Sequence, residues 1–298
     1  MKTSKLERLK TLLLRDPGVL ACPVCGASLF LADGASGLRC AAGHSYDLAR
    51  KGYVNLLGRS GTEKGTYSRA LFENRRSAFG FGLCEEAAQR IAALAKEQLR
   101  LSGAFERGGG TGGIRVLDAG CGEGYYAFAL SREAPLRGAG LFYGLDLSRD
   151  AVAMAADYDA DAVWVVGDLA RPPFRDGVFD LVLNVLSPAN YGAFRRILAP
   201  GGVVLKVAPG RDHLRELRAL RDDPDGDRDN GEALAHGEKH MRVAARARIR
   251  YACALRAEQK QVLPAMTPLT AGRTLAPSAL DSLHRVTIDL EVLAGRPV

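Results

Sequence analysis

Four residues with metal-binding chemistry stand close together near the start of the chain: Cys22, Cys25, Cys40 and His44. Cys22-x2-Cys25 and Cys40-x3-His44 form two knuckles, and the fourteen residues between them suffice for a hairpin that returns the second pair to the first. Three thiolates and an imidazole suit tetrahedral Zn2+ and fill its coordination sphere. The set therefore predicts a structural site, since a catalytic zinc keeps a water ligand. Gly26 and Gly43 sit beside the knuckles, where left-handed backbone is common. Cys22 and Cys25 alone would also fit a dithiol redox pair, and the second knuckle argues for zinc. A module this small has little apolar core, so the metal is expected to supply folding energy. Cys84, Cys121 and Cys253 are isolated in sequence and are expected to be small buried side chains.

A second constellation lies in "VLDAGCGEGYY", which places Asp118, Gly120, Gly122 and Gly124 between an apolar run and a helical one. A glycine loop in that setting binds nucleotide-like ligands, and dinucleotide oxidoreductases share the spacing. Acids separate the two readings. Asp118, ahead of the glycines, would repel a pyrophosphate and attract the sulfonium and ammonium of S-adenosylmethionine. Asp146 in "YGLDLS" closes the next strand, where a carboxylate can bond both ribose hydroxyls. Asp168 in "VVGDL" closes the third, at the height of the adenine edge. Carboxylates at three successive strand ends mark the ligand-binding edge of an open α/β sheet. Asn184 and Pro188 in "LNVLSPAN" end the fourth strand, beside the expected methyl group. Asn184 is a candidate for a cofactor or catalytic role there, with a turn or cap as the alternative. His213 in "APGRDHLREL" follows the fifth strand, where a helix-start histidine is more often structural.

The elements that must position these residues are legible as patterns. "IRVLDAG", "GLFYGLDLS", "AVWVVGDL", "FDLVLNVLS" and "GGVVLKVAP" are near-continuous apolar runs, with helical stretches such as "DAVAMAADY" and "FRRIL" between them. That alternation implies a parallel sheet covered on both faces. "ARIRYACAL" and "HRVTIDLEVLAG" add two strands, expected antiparallel at an edge. Leu6, Leu9 and Leu13 share a helical face near the start, and residues 85–101 form an Ala- and Leu-rich helix. Residues 58–68, 102–115 and 221–232 read as connectors, the last an acidic, turn-forming insertion.

Bulk properties narrow the class. A 298-residue chain with 47% hydrophobic and 25% charged residues holds one large core and a small accessory domain. The apolar run Leu12 to Leu14 is too short for a signal segment or a membrane span, and no later run reaches that length. A cytoplasmic protein with no membrane partner is expected, and in that compartment clustered thiols signal metal before disulfides. A net charge of +7 favours polyanionic partners. Arg50, Lys51, Arg59, Lys64, Arg69, Arg75 and Arg76 face only Glu63 and Glu73 across one stretch, which reads as an RNA phosphate contact or as a solvated linker.

With these residues in view, the chain resembles the 23S ribosomal RNA guanine-N1 methyltransferase family of the RlmA type, nearer its tylosin-resistance branch. The carriers are the Cys22, Cys25, Cys40, His44 set, "HSYDLARKGYVNLL", "NRRSAF", "LDAGCGEGYY", "FRRILAPGG", "APGRDHLREL" and "MTPL". The resemblance implies an α/β fold: a Rossmann-like class I S-adenosylmethionine-dependent methyltransferase sheet with a small N-terminal zinc-ribbon-like domain that recognises RNA. The expected division is 1–57 for the helix and zinc module, 58–112 for a basic linker and helical segment, and 113–298 for the transferase. It also implies one structural Zn2+ per chain, a homodimer, and methylation of a guanine in a 23S rRNA hairpin near the peptide exit tunnel, with macrolide tolerance as a corollary. Gly122 and Glu123 match the cofactor loop, and His213 matches a cofactor-contacting histidine. Where the family often has a tyrosine after the paired arginines, this chain has Cys84. Asp168 and Asn184 are the catalytic candidates, and no base is identified. The rival readings are a methyltransferase for another RNA or a small molecule, and a non-catalytic zinc-containing RNA-binding protein.

Overall fold

The computed structural model describes residues 3–32, 36–57, 67–108, 113–220, 231–270 and 277–298. It begins with α1 (Lys5–Arg15), β1 (Phe30–Leu31), β2 (Gly37–Arg39), β3 (Ser45–Ala49) and β4 (Tyr53–Asn55). The Ser4 hydroxyl accepts the Glu7 N–H and starts α1, whose Leu9, Leu12 and Leu13 fall on one buried stripe. β1 to β4 form an antiparallel meander of strands too short to be stable alone.

Three helices follow: α2 (Arg69–Gly80), α3 (Glu85–Leu101) and α4 (Ala104–Gly108). Then strands and helices alternate as β5 (Ile114–Ala119), α5 (Tyr125–Ser131), β6 (Gly140–Asp146), α6 (Arg149–Ala155), β7 (Ala162–Val166), β8 (Phe179–Val185), α7 (Tyr191–Ile197) and β9 (Leu198–Pro209). The chain closes with α8 (Arg215–Arg218), α9 (Glu232–His240), β10 (Met241–Ala254), α10 (Ala257–Ala265), α11 (Pro277–Asp281) and β11 (Arg285–Pro297).

The sheet order is β1-β2-β3-β4-β7-β6-β5-β8-β9-β11-β10. β5 to β9 run parallel, as their continuous apolar composition requires, while β11 lies antiparallel between β9 and β10. Helix α3 covers one face with Ala87, Ile91, Ala95 and Leu99, each buried and four residues apart. The strand order reverses between β5 and β8, so the connections leaving their carboxyl ends diverge and open a crevice there.

The zinc module is joined to this sheet by its edge. β4 pairs in parallel with β7, Tyr53 opposite Trp164 and Val54 opposite Val165. Leu9, Leu20, Leu38 and Val54 share one apolar core with Val163, Val165 and Phe174. Asp16, buried at the end of α1, accepts hydrogen bonds from Arg115 Nε and Nη2 at 2.9 and 2.7 Å and from the Tyr143 hydroxyl at 2.6 Å. The expected division at residue 57 thus falls within a continuous sheet and core. Residues 58–66, with Arg59 and Lys64, and residues 109–112 and 221–230 of the expected connectors lie outside the described residues. Among the described residues no helix is long and apolar enough to cross a membrane.

Candidate active site and metal centre

Backbone turns build the metal site. The Gly26 N–H donates to the Cys22 carbonyl and the Gly43 N–H to the Cys40 carbonyl, closing each knuckle with its glycine at positive φ. The four ligand atoms lie within 4.8 Å of one another. Cys25 and Cys40 sulfurs are 3.7 Å apart, and His44 Nδ1 stands 3.6 Å from Cys22 Sγ and 3.4 Å from Cys40 Sγ. Tetrahedral zinc with usual bond lengths needs S···S of ~3.8 Å and S···N of ~3.5 Å, so the donor set fits the ion. Burial alone would raise the Cys22 thiol. The Tyr46 hydroxyl 3.3 Å away and the backbone amides of Cys25 and Val24 bring it down instead, to about 6, and favour the thiolate that zinc requires.

The carboxyl ends of the central strands border a cavity of about 540 Å3. Asp118, at the end of β5, is 2% exposed and accepts the Ala127 N–H. Burial pushes its carboxyl up to about 7, with the Ala127 amide opposing and the Asp146 and Glu123 charges adding to the rise. Asp146 ends β6 and accepts the N–H groups of Gly122 and Ser148, each at 2.9 Å, so it fixes the glycine loop from below. A Cβ on Gly120 would sit 1.9 Å from the Ser187 hydroxyl, which is why this loop can lie against the turn after β8. Asp168 reaches the same cavity from the end of β7, exposed, and caps its own turn by accepting the Ala170 N–H. His213 lines the far wall. Its Nδ1 accepts the Asp289 N–H, which leaves the ring proton on Nε2. Desolvation and the Arg218 charge lower it to about 4, so it stays neutral.

Other expected residues take different places. Gly124 is the left-handed N-cap of α5, packed against Ala155 and Trp164 behind the loop and away from the cavity wall. Glu123 borders the cavity, but its buried carboxylate accepts the Tyr158 hydroxyl at 2.9 Å. Asn184 is fully buried behind the wall and donates to the carbonyls of Ala119 and Pro188. Its Oδ1 accepts from Lys206 Nζ at 2.8 Å.

Arg75 and Arg76, expected on RNA phosphates, both turn inward. Arg75 lines the cavity and donates through Nε and Nη2 to the Met266 carbonyl, each at 3.3 Å. Arg76 stands 3.4 Å from Glu123, 3.3 Å from Asp157 and over the Tyr158 ring. The cause is periodicity: they follow the buried Leu71 and Phe72 by one helical turn and share that face of α2. Arg50 and Lys51 remain exposed at the turn between β3 and β4, and Arg69 is exposed but pairs with Glu73 at 2.8 Å.

The cavity also takes in Tyr67, Phe72, Tyr125, Tyr126, Leu186, Met266 and Thr267, none of which was expected. The signal available for some of them was the resemblance carried by "LDAGCGEGYY", which holds Tyr125 and Tyr126, and by "MTPL", which holds Met266 and Thr267. The Tyr126 hydroxyl is buried without a well-formed hydrogen bond, beside Cys84, whose thiol burial pushes up to about 12 and so keeps protonated. Leu186 and Leu214 adopt φ of 50° and 53° on this wall, a conformation that branched residues hold only where their surroundings enforce it.

Comparison with known proteins matches both halves of the chain. Residues 20–58 match the zinc-ribbon family described as RlmA, N-terminal, and residues 116–202 match a methyltransferase domain. YxjB of Bacillus subtilis strain 168, provisionally named a 23S rRNA (guanine-N(1)-)-methyltransferase, is 34% identical over 289 residues, covering 94% of this chain and 98% of its own. A Micromonospora griseorubida protein with the same provisional name is 33% identical over 94% of this chain and 97% of its own. The 23S rRNA (guanine(748)-N(1))-methyltransferase of Streptomyces fradiae is 36% identical over 66% of each chain.

Proposed function

Because the chain belongs to the 23S rRNA (guanine-N1-)-methyltransferase family, we propose that it transfers a methyl group from S-adenosylmethionine to N1 of one guanine in 23S rRNA, in the cytoplasm. The observation that carries this reading is one chain holding both halves of the family: a Cys3His metal set, and acids from three strand ends around one cavity.

Asp118, Asp146 and Asp168 would hold the cofactor's cationic and ribose–adenine parts, with Gly120 and Gly122 giving the close backbone approach and His213 a neutral donor from the far side. Arg75 supplies the cavity's cation, suited to the methionyl carboxylate. S-adenosylmethionine, when bound, provides a methyl already activated for displacement. The protein's own task is to position the base and exclude water. The target base must leave its stack to reach a site this enclosed, which costs a few kcal/mol and least in a loop. A hairpin loop is therefore the substrate we assign, and the family resemblance implies one near the peptide exit tunnel. The zinc module and the exposed Arg50, Lys51 and Arg69 would meet the RNA, joined by Arg59 and Lys64. A homodimer and an effect on macrolide sensitivity belong to the same reading.

Labelled S-adenosylmethionine and protein-free 23S rRNA from a strain lacking this enzyme give the test. An N1-methyl blocks Watson–Crick pairing and stops reverse transcriptase, so one new stop in a hairpin near the tunnel is expected. Tight cofactor binding with no stop anywhere in ribosomal RNA would overturn the assignment.

A further inference from the structure

A second cavity, of about 390 Å3, opens beside the first and shares the walls formed by Arg75, Leu186, Ser187, Pro188, His213 and Thr267. Its far side is β9 and the loop that follows, and Lys206 stands there. Lys206 is 4% exposed, so its charge has lost nearly all its water. Its amine donates to Asn184 Oδ1 at 2.8 Å and to the Ser187 carbonyl. Asn184 has no freedom in this pairing. Its NH2 is held by the carbonyls of Ala119 and Pro188, so its oxygen has to face the lysine. Two acceptors that cannot donate hold the amine as a donor. The strained Leu186 belongs to the same turn as Ser187 and stands in the partition between the two cavities.

A cation fixed beside a cavity that adjoins the methyl donor is suited to a base that becomes anionic as it reacts. Guanine N1 carries a proton in the neutral base, and its loss spreads negative charge over N1 and O6. We infer that the second cavity receives the extruded guanine and that the Lys206 ammonium faces its O6, stabilising the N1-deprotonated form. This rests on the guanine-N1 reading. The N1 proton leaves to bulk solvent as the base enters, before the site closes on it. The N1 electron pair then forms the bond to the methyl carbon while the carbon–sulfur pair returns to sulfur. Sulfonium and anionic base thus become a neutral thioether and neutral N1-methylguanine, with no oxidant or further reactant. Asn184 does not touch the base in this account; it is a positioning residue acting through Lys206.

The experiment pairs Lys206 variants with deletion of the substrate oxygen. Once the stop has named the guanine, hairpins are made with that guanine or with 2-aminopurine, which lacks O6, in its place. Wild type should bind the guanine hairpin tighter, and Lys206→Met should bind both alike. Lys206→Met should also lower kcat/KM for the guanine hairpin about 100-fold at neutral pH, as loss of one anion-stabilising donor does. That loss should shrink as rising pH ionises N1 without help, and Lys206→Arg should keep part of the rate. Should Lys206→Met fail to bind S-adenosylmethionine, Lys206→Gln carries the same comparison. An equal loss at every pH with the guanine preference intact would reduce Lys206 to a prop for the Ser187 turn and overturn the inference alone. A wild-type protein that leaves no stop in 23S rRNA would overturn the guanine reading, and this inference with it.

Discussion

The metal centre and the cofactor cavity are built on opposite plans. All four metal ligands lie between Cys22 and His44, and two backbone turns bring them together. The cavity draws its walls from Tyr67 to Leu290, across both halves of the large sheet, α2 and the segment after α10. The first plan needs little of the fold, whereas the second is the product of the whole sheet. The two are nevertheless not independent bodies. β4 puts the zinc module in register with β7, and Asp16 ties α1 to Arg115 and Tyr143 on neighbouring central strands. On the proposed reading, a module held this way would present RNA at a fixed distance and angle from the methyl donor.

Removing the metal should give the largest effect and tests that union. Apparent binding energies of structural zinc in small modules reach about 10 kcal/mol. Because the apolar core is shared, chelation or Cys40→Ala should lower the single melting transition of the whole protein, followed by circular dichroism and by intrinsic fluorescence. Two separate transitions would show that the module folds by itself, and the comparison would have to be redrawn.

Arg75→Met sharpens the division of labour. Loss of a charged partner in the cavity should weaken S-adenosylmethionine binding about 10- to 100-fold, read by calorimetry, while affinity for 23S rRNA changes little. Reduced RNA affinity with normal cofactor binding would return Arg75 to the phosphate-contacting role that its charge alone suggested.

A smaller, pH-dependent effect should come from Asp118. Its carboxyl is raised from 3.8 to about 7, so the folded protein binds this proton more tightly than the unfolded chain. The stability it contributes is therefore full below pH ~4 and is lost as pH rises through ~7. A cationic ligand needs the ionised form. S-adenosylmethionine affinity should thus fall by up to about tenfold per unit as pH drops below ~7, and Asp118→Asn should bind weakly with a flat profile. A wild-type profile that is already flat would remove Asp118 from the cation contact.

The smallest expected effect lies on the module's surface. Arg50→Glu with Lys51→Glu should reduce RNA affinity and flatten its dependence on the logarithm of salt concentration by about 1 to 2, with cofactor binding untouched. An unchanged salt slope would place the RNA on another face.

Much of this was written locally. Metal ligands three or four residues apart need only a tight turn, so Cys22, Cys25, Cys40 and His44 could be read as a site from spacing alone. The strand-end acids Asp118, Asp146 and Asp168 were legible because strand direction follows from an α/β alternation, and a parallel sheet puts all carboxyl ends on one edge. Charge counting put Arg75 and Arg76 with the RNA contacts; it carries no helical period, and that period turns both toward the core with Leu71 and Phe72. Asn184 was placed at the correct strand end, but its side chain is consumed by Ala119, Pro188 and Lys206, and no pattern in the sequence states which way a strand-end amide points.

The metal set, the alternation of strands and helices, and the edge at which a ligand sits all follow from short-range spacing and period. Long-range packing set the rest: the zinc module shares a sheet with the transferase, Arg75 lines the cavity while Arg76 packs on Glu123 and Tyr158, and Lys206 meets Asn184. Those are contacts between residues far apart in the chain, and packing, which no local pattern encodes, selects them.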